Sequence, residues 1–152
     1  MAEEPEDPHD VDVYAHTRAA GSRFVRLDSG QGIARITLNR PPANVLSVEV
    51  MEEINAILES LEYQRDVKLV VLTAVGKYFS AGFEIAEHLG DRAYLMLEEF
   101  HRVVGNLGKL DKPVLAVVAG PALGAGNILA VACDMVLAGS SARFGHPEIK
   151  GG

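Results

Sequence analysis

Pro113-Val114-Leu115-Ala116-Val117-Val118-Ala119-Gly120-Pro121-Ala122-Leu123-Gly124-Ala125-Gly126-Asn127-Ile128-Leu129-Ala130-Val131-Ala132-Cys133-Asp134-Met135-Val136-Leu137-Ala138 decides the fold class. Pro113 to Ala119 is a short apolar run rich in valine, which reads as a buried strand. A glycine-bearing turn follows it. Gly124 to Cys133 starts glycine-rich and continues almost wholly apolar, so it reads as a buried helix. Met135 to Ala138 reads as another strand.

The flanking sequence repeats the alternation. Val67 to Thr73 is an apolar run bounded by charge and glycine, predicting a buried strand. Gly76 to Gly82 has no periodicity and reads as a loop. Asp91 to Leu107 predicts an amphipathic helix, with Ala93, Met96, Leu97, Phe100, Val103, Val104 and Leu107 on one side. Further upstream, Ser47 can cap a helix that Glu49 suits electrostatically, and Met51, Ile54, Ile57, Leu58 and Leu61 follow at helical spacing. Phe24–Leu27 and Ile33–Leu38 alternate with period two, and Ser29–Gly32 between them reads as a hairpin turn. Asn39–Asn44 carries two prolines and reads as a loop. Phe144 starts a last short strand. Strands alternating with helices predict an α/β class with largely parallel pairing. No short-period repeat is visible.

The chain has 152 residues, 48% hydrophobic and 23% charged, which suits one globular domain and excludes collagen-like or coiled-coil readings. A single cysteine rules out an intrachain disulfide and points to a reducing compartment, the cytoplasm. No apolar run is long enough to cross a membrane, and no secretory signal is apparent. The net charge is -7, unevenly spread. Glu3, Glu4, Glu6, Asp7, Asp10 and Asp12 are acidic, with no Lys or Arg among residues 1–12. Residues 13–152 hold the other 15 acids against all 14 bases. Residues 1–21 are therefore expected to form a disordered acidic tail, and residues 22–152 the domain. Nothing forms a basic face, which argues against a nucleic-acid partner.

Several chemical motifs fail. Gly124-Ala125-Gly126 begins a dinucleotide fingerprint, but Leu129 stands where its third glycine belongs. There is no phosphate-binding Gly-Lys-Ser/Thr. The histidines are scattered and Cys133 has no cysteine partner, so no metal site is expected. His88 and His101 read as surface residues, and Cys133 as an inert core thiol. Two glycine turns remain, Phe79–Glu84 and Gly120–Gly126. Both follow strands, where open α/β sheets bind ligands, and their exposed N–H groups could hold a developing negative charge. Ordinary tight turns would look the same. Glu148, after Pro147, is either an acid–base carboxylate or a solvated loop glutamate.

In combination these segments are more specific. Asn39-Arg40-Pro41 with Asn44-Val45-Leu46, then Phe79-Ser80-Ala81-Gly82, then Ala122-Leu123-Gly124-Ala125-Gly126 with Cys133-Asp134, then Phe144-Gly145-His146-Pro147-Glu148, resembles the crotonase (enoyl-CoA hydratase/isomerase) superfamily. The resemblance covers roughly residues 22–152. It implies a spiral of ββα turns that binds acyl-CoA thioesters, with no separate cofactor or metal. The two N–H groups of the oxyanion hole would belong to Phe83 and Ala125, with Gly82 and Gly124 beside them for close approach. The Ala81 carbonyl matches the position that contacts the CoA adenine, and Asn44, Val45 and Leu46 match another part of the CoA-binding wall.

The family's hydratases use two glutamates. The one that exchanges the proton at the α-carbon maps onto Glu148. The other maps onto Ile128, which has no acid–base function. Asn127 or His146 could position a water, or be structural. Glu84 reads first as a loop or cap acid and second as a catalytic group. Ala86-Glu87-His88-Leu89 with Asp91, and Gly145–Lys150, also resemble cyclohexa-1,5-diene-1-carbonyl-CoA hydratases. The implied function is a hydratase-type lyase acting on an unsaturated acyl-CoA, a cyclic dienoyl-CoA being one form. Alternatives are an enoyl-CoA isomerase, or a non-catalytic acyl-CoA-binding paralogue or degenerate subunit. The family's longer chains form trimers. This chain is therefore expected to lack the C-terminal part of the fold and to associate as a homo-oligomer.

Overall fold

A computed structural model describes residues 22–150, so the acidic segment 1–21 expected to be disordered lies outside the described residues. β1 (Val25–Gly30) and β2 (Ile33–Leu38) form an antiparallel hairpin. Its turn is Gln31-Gly32 alone, tighter than expected, with φ of 50° and 80°. Positive φ at both positions is what a two-residue turn needs to match the twist of its strands.

α1 (Val48–Glu62) begins where the cap predicts: the Val50 N–H donates to Ser47 Oγ at 3.4 Å. Its apolar stripe of Met51, Ile54, Ile57, Leu58 and Leu61 is buried. From its flank, the Glu53 carboxylate accepts the N–H groups of Arg23, Phe24 and Val25, each at 2.8 Å, and so holds the start of β1. β3 (Leu69–Ala74), α2 (Asp91–Lys109), β4 (Val114–Val118), β5 (Pro121–Leu123), α3 (Ala125–Val131), β6 (Met135–Ala138) and β7 (Arg143–Gly145) follow. The Asp134 carboxylate accepts the Val114 N–H at 2.7 Å, which explains an acid after the apolar helix.

Two parallel ladders organise the chain. In the first the order is β1-β2-β3-β4-β6, parallel throughout after the hairpin. In the second, Leu46 bridges Phe83, Ser80 bridges Ala122, and β5 pairs with β7. Both ladders climb in the same chain order. Each turn adds a long strand, a short extended segment and then a helix, and in the last turn the helix is the 3-10 turn Pro147–Lys150. This is the expected ββα spiral. Its long strands begin at 33, 69, 114 and 135. The spacing varies because the connecting helices differ in length, so no period shows in the sequence.

Burial departs from expectation at one side. β3 and β4, read as fully buried, bury alternate residues: Val70, Leu72, Val114, Ala116 and Val118 are enclosed, whereas Val71, Leu115 and Val117 are half-buried. β6 is exposed along its length, with Met135 at 47% and Leu137 at 59%. α3 buries Ala125, Gly126, Leu129 and Ala130 but leaves Ile128 and Val131 open. For β6 the cause is positional: it is the edge of the sheet, with no strand beyond it among the described residues.

Candidate active site

The second ladder brings the two glycine turns together. The Leu46 N–H donates to the Gly82 carbonyl at 2.8 Å, and the Glu84 N–H donates to the Leu46 carbonyl at 3.1 Å. That parallel bridge uses the groups on either side of Phe83, so the Phe83 N–H is directed away from it. Gly82 is buried at φ 103°, and a Cβ there would lie 3.0 Å from the Leu123 carbonyl oxygen and 3.5 Å from Ala125 N. Backbone at 82–83 therefore lies against Ala125, the first residue of α3. The Ala125 N–H has no acceptor within its own helix, because the first turn of any helix leaves its donors free. Gly126 presses equally close on the preceding turn: a Cβ there would stand 2.5 Å from the Ser80 carbonyl oxygen. Only small residues permit this approach of two backbones.

Glu148 arrives from the last turn of the spiral. The Gly124 N–H donates to the Gly145 carbonyl at 2.9 Å, which pins this segment beside the second glycine turn. A Cβ on Gly124 would overlap Glu148 Oε1 and lie 2.9 Å from its Cδ. The carboxylate thus lies over the Gly124 backbone, one residue from the Ala125 N–H. Its side chain is 62% exposed. Asn127 Nδ2 lies 2.9 Å from His146 Nε2, and His146 Nδ1 lies 3.9 Å from Glu148 Oε2.

An apolar cavity of about 360 Å³ adjoins these groups, lined by Phe83, Leu97, Phe100, His101, Val104 and Ile128. Phe83 and Phe100 meet edge to face with centroids 4.9 Å apart. Ile128, on the flank of α3, is 40% exposed here. The α2 contribution was missed in the sequence. Leu97 and Val104 read as core and His101 as surface. The available signal was the width of the α2 stripe, which exceeds what one buried face needs: Leu97 is exposed to this cavity and not packed inside. A larger cavity, about 510 Å³, lies at the amino ends of β3 and β4 among Glu62, Arg65, Lys68, Asp111 and Lys112. It holds none of the predicted site residues, and ligand sites of such sheets lie at the carboxyl ends of the strands.

The remaining predicted positions serve the frame around the two turns. Asn44, 2% exposed and at φ 49°, accepts the Arg40 N–H through Oδ1 at 2.8 Å. Its Nδ2 donates to the carbonyls of Val75 at 2.8 Å and Tyr78 at 2.9 Å. The Asn44 side chain is therefore a clamp between loops, and Leu46 is likewise buried, while Val45 and Ala81 are half-buried. The Ala81 N–H donates to the Ala43 carbonyl at 2.9 Å. Glu84 pairs with Arg40 at 3.0 Å, which ties the loop after β2 to the Phe83 segment and fits the structural reading. Cys133 is buried, and burial, then the nearby Asp134 charge, push its thiol up to about 12, as an inert core group requires. Among the described residues no three metal-ligating side chains cluster, and no helix is long and apolar enough to cross a membrane.

Comparison with known proteins agrees with this arrangement. Residues 28–152 match the family model described as enoyl-CoA hydratase/isomerase. A probable enoyl-CoA hydratase of Mycobacterium bovis is 37% identical over 129 residues, covering 83% of this chain and 50% of the relative. A short-chain-enoyl-CoA hydratase of Clostridium acetobutylicum is 37% identical over 132 residues, covering 82% and 50%. The crystal structure of an enoyl-CoA hydratase from Mycobacterium avium subsp. paratuberculosis superposes with a TM-score of 0.72 at 35% identity, covering 80% of this chain and 47% of that one. The chain spans about half the length of the relatives it matches. With the ββα spiral, the paired glycine turns and the family match in agreement, the chain belongs to the enoyl-CoA hydratase/isomerase family.

Proposed function

We infer that this chain supplies the oxyanion hole and the proton-exchanging base of a hydratase-type lyase acting on an unsaturated acyl-CoA. The observation that carries the reading is the position of the Glu148 carboxylate over Gly124, one residue from Ala125, whose backbone nitrogen in turn lies against Gly82. The thioester oxygen would accept hydrogen bonds from the Phe83 and Ala125 N–H groups. As charge builds on that oxygen, the two donors hold it without reorganising, and each such donor is typically worth about 10²–10³-fold in rate. Glu148 would exchange the proton at the α-carbon. In hydration, water adds hydroxide at the β-carbon and the α-carbon gains a proton, so Glu148 need only pass protons on. The cavity of Phe83, Leu97, Phe100, Val104 and Ile128 supports an apolar acyl group, and the paired rings of Phe83 and Phe100 would flank a cyclic diene as well as a linear chain. CoA enters as part of the substrate, and the reading asks for no cofactor. A homo-oligomeric protein is the setting we assign, because the apolar residues exposed on β6 and α3 suit burial in an assembly, and a cytoplasmic one because the chain carries a single cysteine.

Ile128 favours a second reading. An apolar side chain lines the cavity where a hydratase of this family would hold its water-activating glutamate, so a single base could instead move a proton between carbons as an isomerase. Mass spectrometry of enoyl-CoA substrates in heavy water separates the two. A product heavier by one water supports hydration, and an isomer without added water supports the second reading. Glu148→Gln should abolish either product while acyl-CoA still binds. Turnover that survives this change removes Glu148 from the mechanism, and binding without turnover in the unaltered chain leaves a non-catalytic paralogue.

A further inference from the structure

Glu148 does not stand alone. Asn127, on α3, and His146, before the last 3-10 turn, form a chain with it that runs along the open side of the site. We propose that His146 is a positioning residue for Glu148, held by Asn127 in the tautomer that offers an N–H to the carboxylate; this rests on the reading above and deepens it.

The chemistry follows from the two distances. An amide nitrogen can only donate. Asn127 Nδ2–H, 2.9 Å away, therefore donates to His146 Nε2, and the neutral ring keeps its proton on Nδ1. Nδ1 is the nitrogen that faces Glu148 Oε2, at 3.9 Å. That separation is too long for a direct hydrogen bond, but one bridging water or a rotation of the exposed carboxylate closes it. With Nε2 accepting and Nδ1 protonated, the ring has no free lone pair. It holds the base and is not itself the base. The result is a carboxylate that is oriented from one side, where the family pattern would place a second acid at Ile128.

The arrangement also predicts a direction with pH. A second proton on His146 would sit on Nε2 and oppose the Asn127 Nδ2–H, donor against donor, unless the Asn127 amide turned from its present position to offer Oδ1, which is buried without a hydrogen-bond partner. The neighbours of the ring are few. α3 and β5 carry no charged residue, β7 carries Arg143, and the segment of His146 itself carries Glu148 and Lys150. The Arg143 guanidinium is turned to the carbonyls of Ser140 and Ala142. Glu148 is the charged group that faces the ring, at 3.9 Å from Nδ1. The aligned state is thus the neutral ring, and turnover should fall as the ring protonates.

Two readouts test this, one independent of activity. Nitrogen-15 NMR of the imidazole should show the Nδ1–H tautomer in the unaltered chain. Asn127→Asp places a charged acceptor at Nε2 and should raise the His146 titration, and Glu148→Gln should lower it. An Nε2–H tautomer, or a titration indifferent to both changes, overturns the proposal whether or not the chain turns over. Where it does turn over, the acid limb of the kcat/KM profile should move up in Asn127→Asp. In His146→Gln, whose amide still donates but does not titrate, the limb should lose the ring's share and keep only that of the Glu148 base itself. A merely structural role would lower activity in these variants and leave the shape of both profiles unchanged. Loss of all turnover with the NMR result intact would count against the function assigned to the site and not against the chain of three residues.

Discussion

Gly124→Ala separates the catalytic reading from simple packing. Two effects act at this residue. The first is backbone strain: Gly124 has φ 54° and ψ −124°, outside the left-handed helical region, and an L-residue there costs about 1–3 kcal/mol. The second is a collision. The new methyl would overlap Glu148 Oε1 and lie 2.9 Å from Cδ, against an ordinary contact of 3.4 Å or more. The atoms it meets are the end of a flexible side chain that is 62% exposed, so Glu148 swings away and the fold survives. A displacement on the order of 1 Å at a reacting group costs about 10²-fold in rate. The expected result is a folded protein, about 1–3 kcal/mol less stable in urea denaturation, with kcat/KM for an enoyl-CoA down about 10²-fold. Gly126→Ala is the control. Its methyl would stand 2.5 Å from the Ser80 carbonyl oxygen and 2.7 Å from Ser80 Cβ, so the backbone itself must give. That variant should lose stability, by about 1–3 kcal/mol, as its primary effect. If Gly124→Ala turns over at the unaltered rate, Glu148 does not act from where it lies. If it loses activity only in proportion to unfolding, the collision is irrelevant and the reasoning fails.

Two further outcomes follow from the frame of the site. Asn44→Ala removes three side-chain hydrogen bonds that brace the loop after β2 and join it to the loop after β3, and should cost about 3 kcal/mol in denaturant melts; an unchanged midpoint would mean the clamp is idle. Cys133 should resist alkylation by iodoacetamide near pH 8 until the chain is unfolded, because its thiol is held up at about 12. The same shift has a sign for stability. The folded value lies above the unfolded 9.0, so its contribution is complete below pH 9.0 and is lost as pH rises toward about 12. Cys133→Ala should flatten the alkaline part of the stability profile, and an identical decline in both proteins would exclude the thiol as its source.

Local chemistry was legible in the sequence because it depends on neighbours in the chain. The cap at Ser47, the stripe of Met51, Ile54, Ile57, Leu58 and Leu61, and the strand at Met135–Ala138 are all where periodicity and composition put them. The parallel α/β class was legible for the same reason. The ordered motifs from Asn44 to Glu148 carried the family. What stayed hidden needs contacts between distant segments. The hairpin turn tightened to Gln31-Gly32 because strand pairing extends to the last residue the twist allows. Glu53 and Asp134 cap strands across the fold, a use that amphipathic periodicity cannot show. Leu97, Val104 and Ile128 look like core residues in any window of sequence. They become a cavity wall only because α2 and α3 converge on Phe83. The same holds for the groups proposed for catalysis: residues 82–83, Ala125 and Glu148 lie far apart in the chain, and the second parallel ladder makes them neighbours. The sequence determined which residues could do this chemistry, since backbone propensity and residue type are local properties. Their meeting was decided by tertiary structure, since the stacking of ββα turns depends on hydrogen bonds and burial between segments that no local pattern encodes.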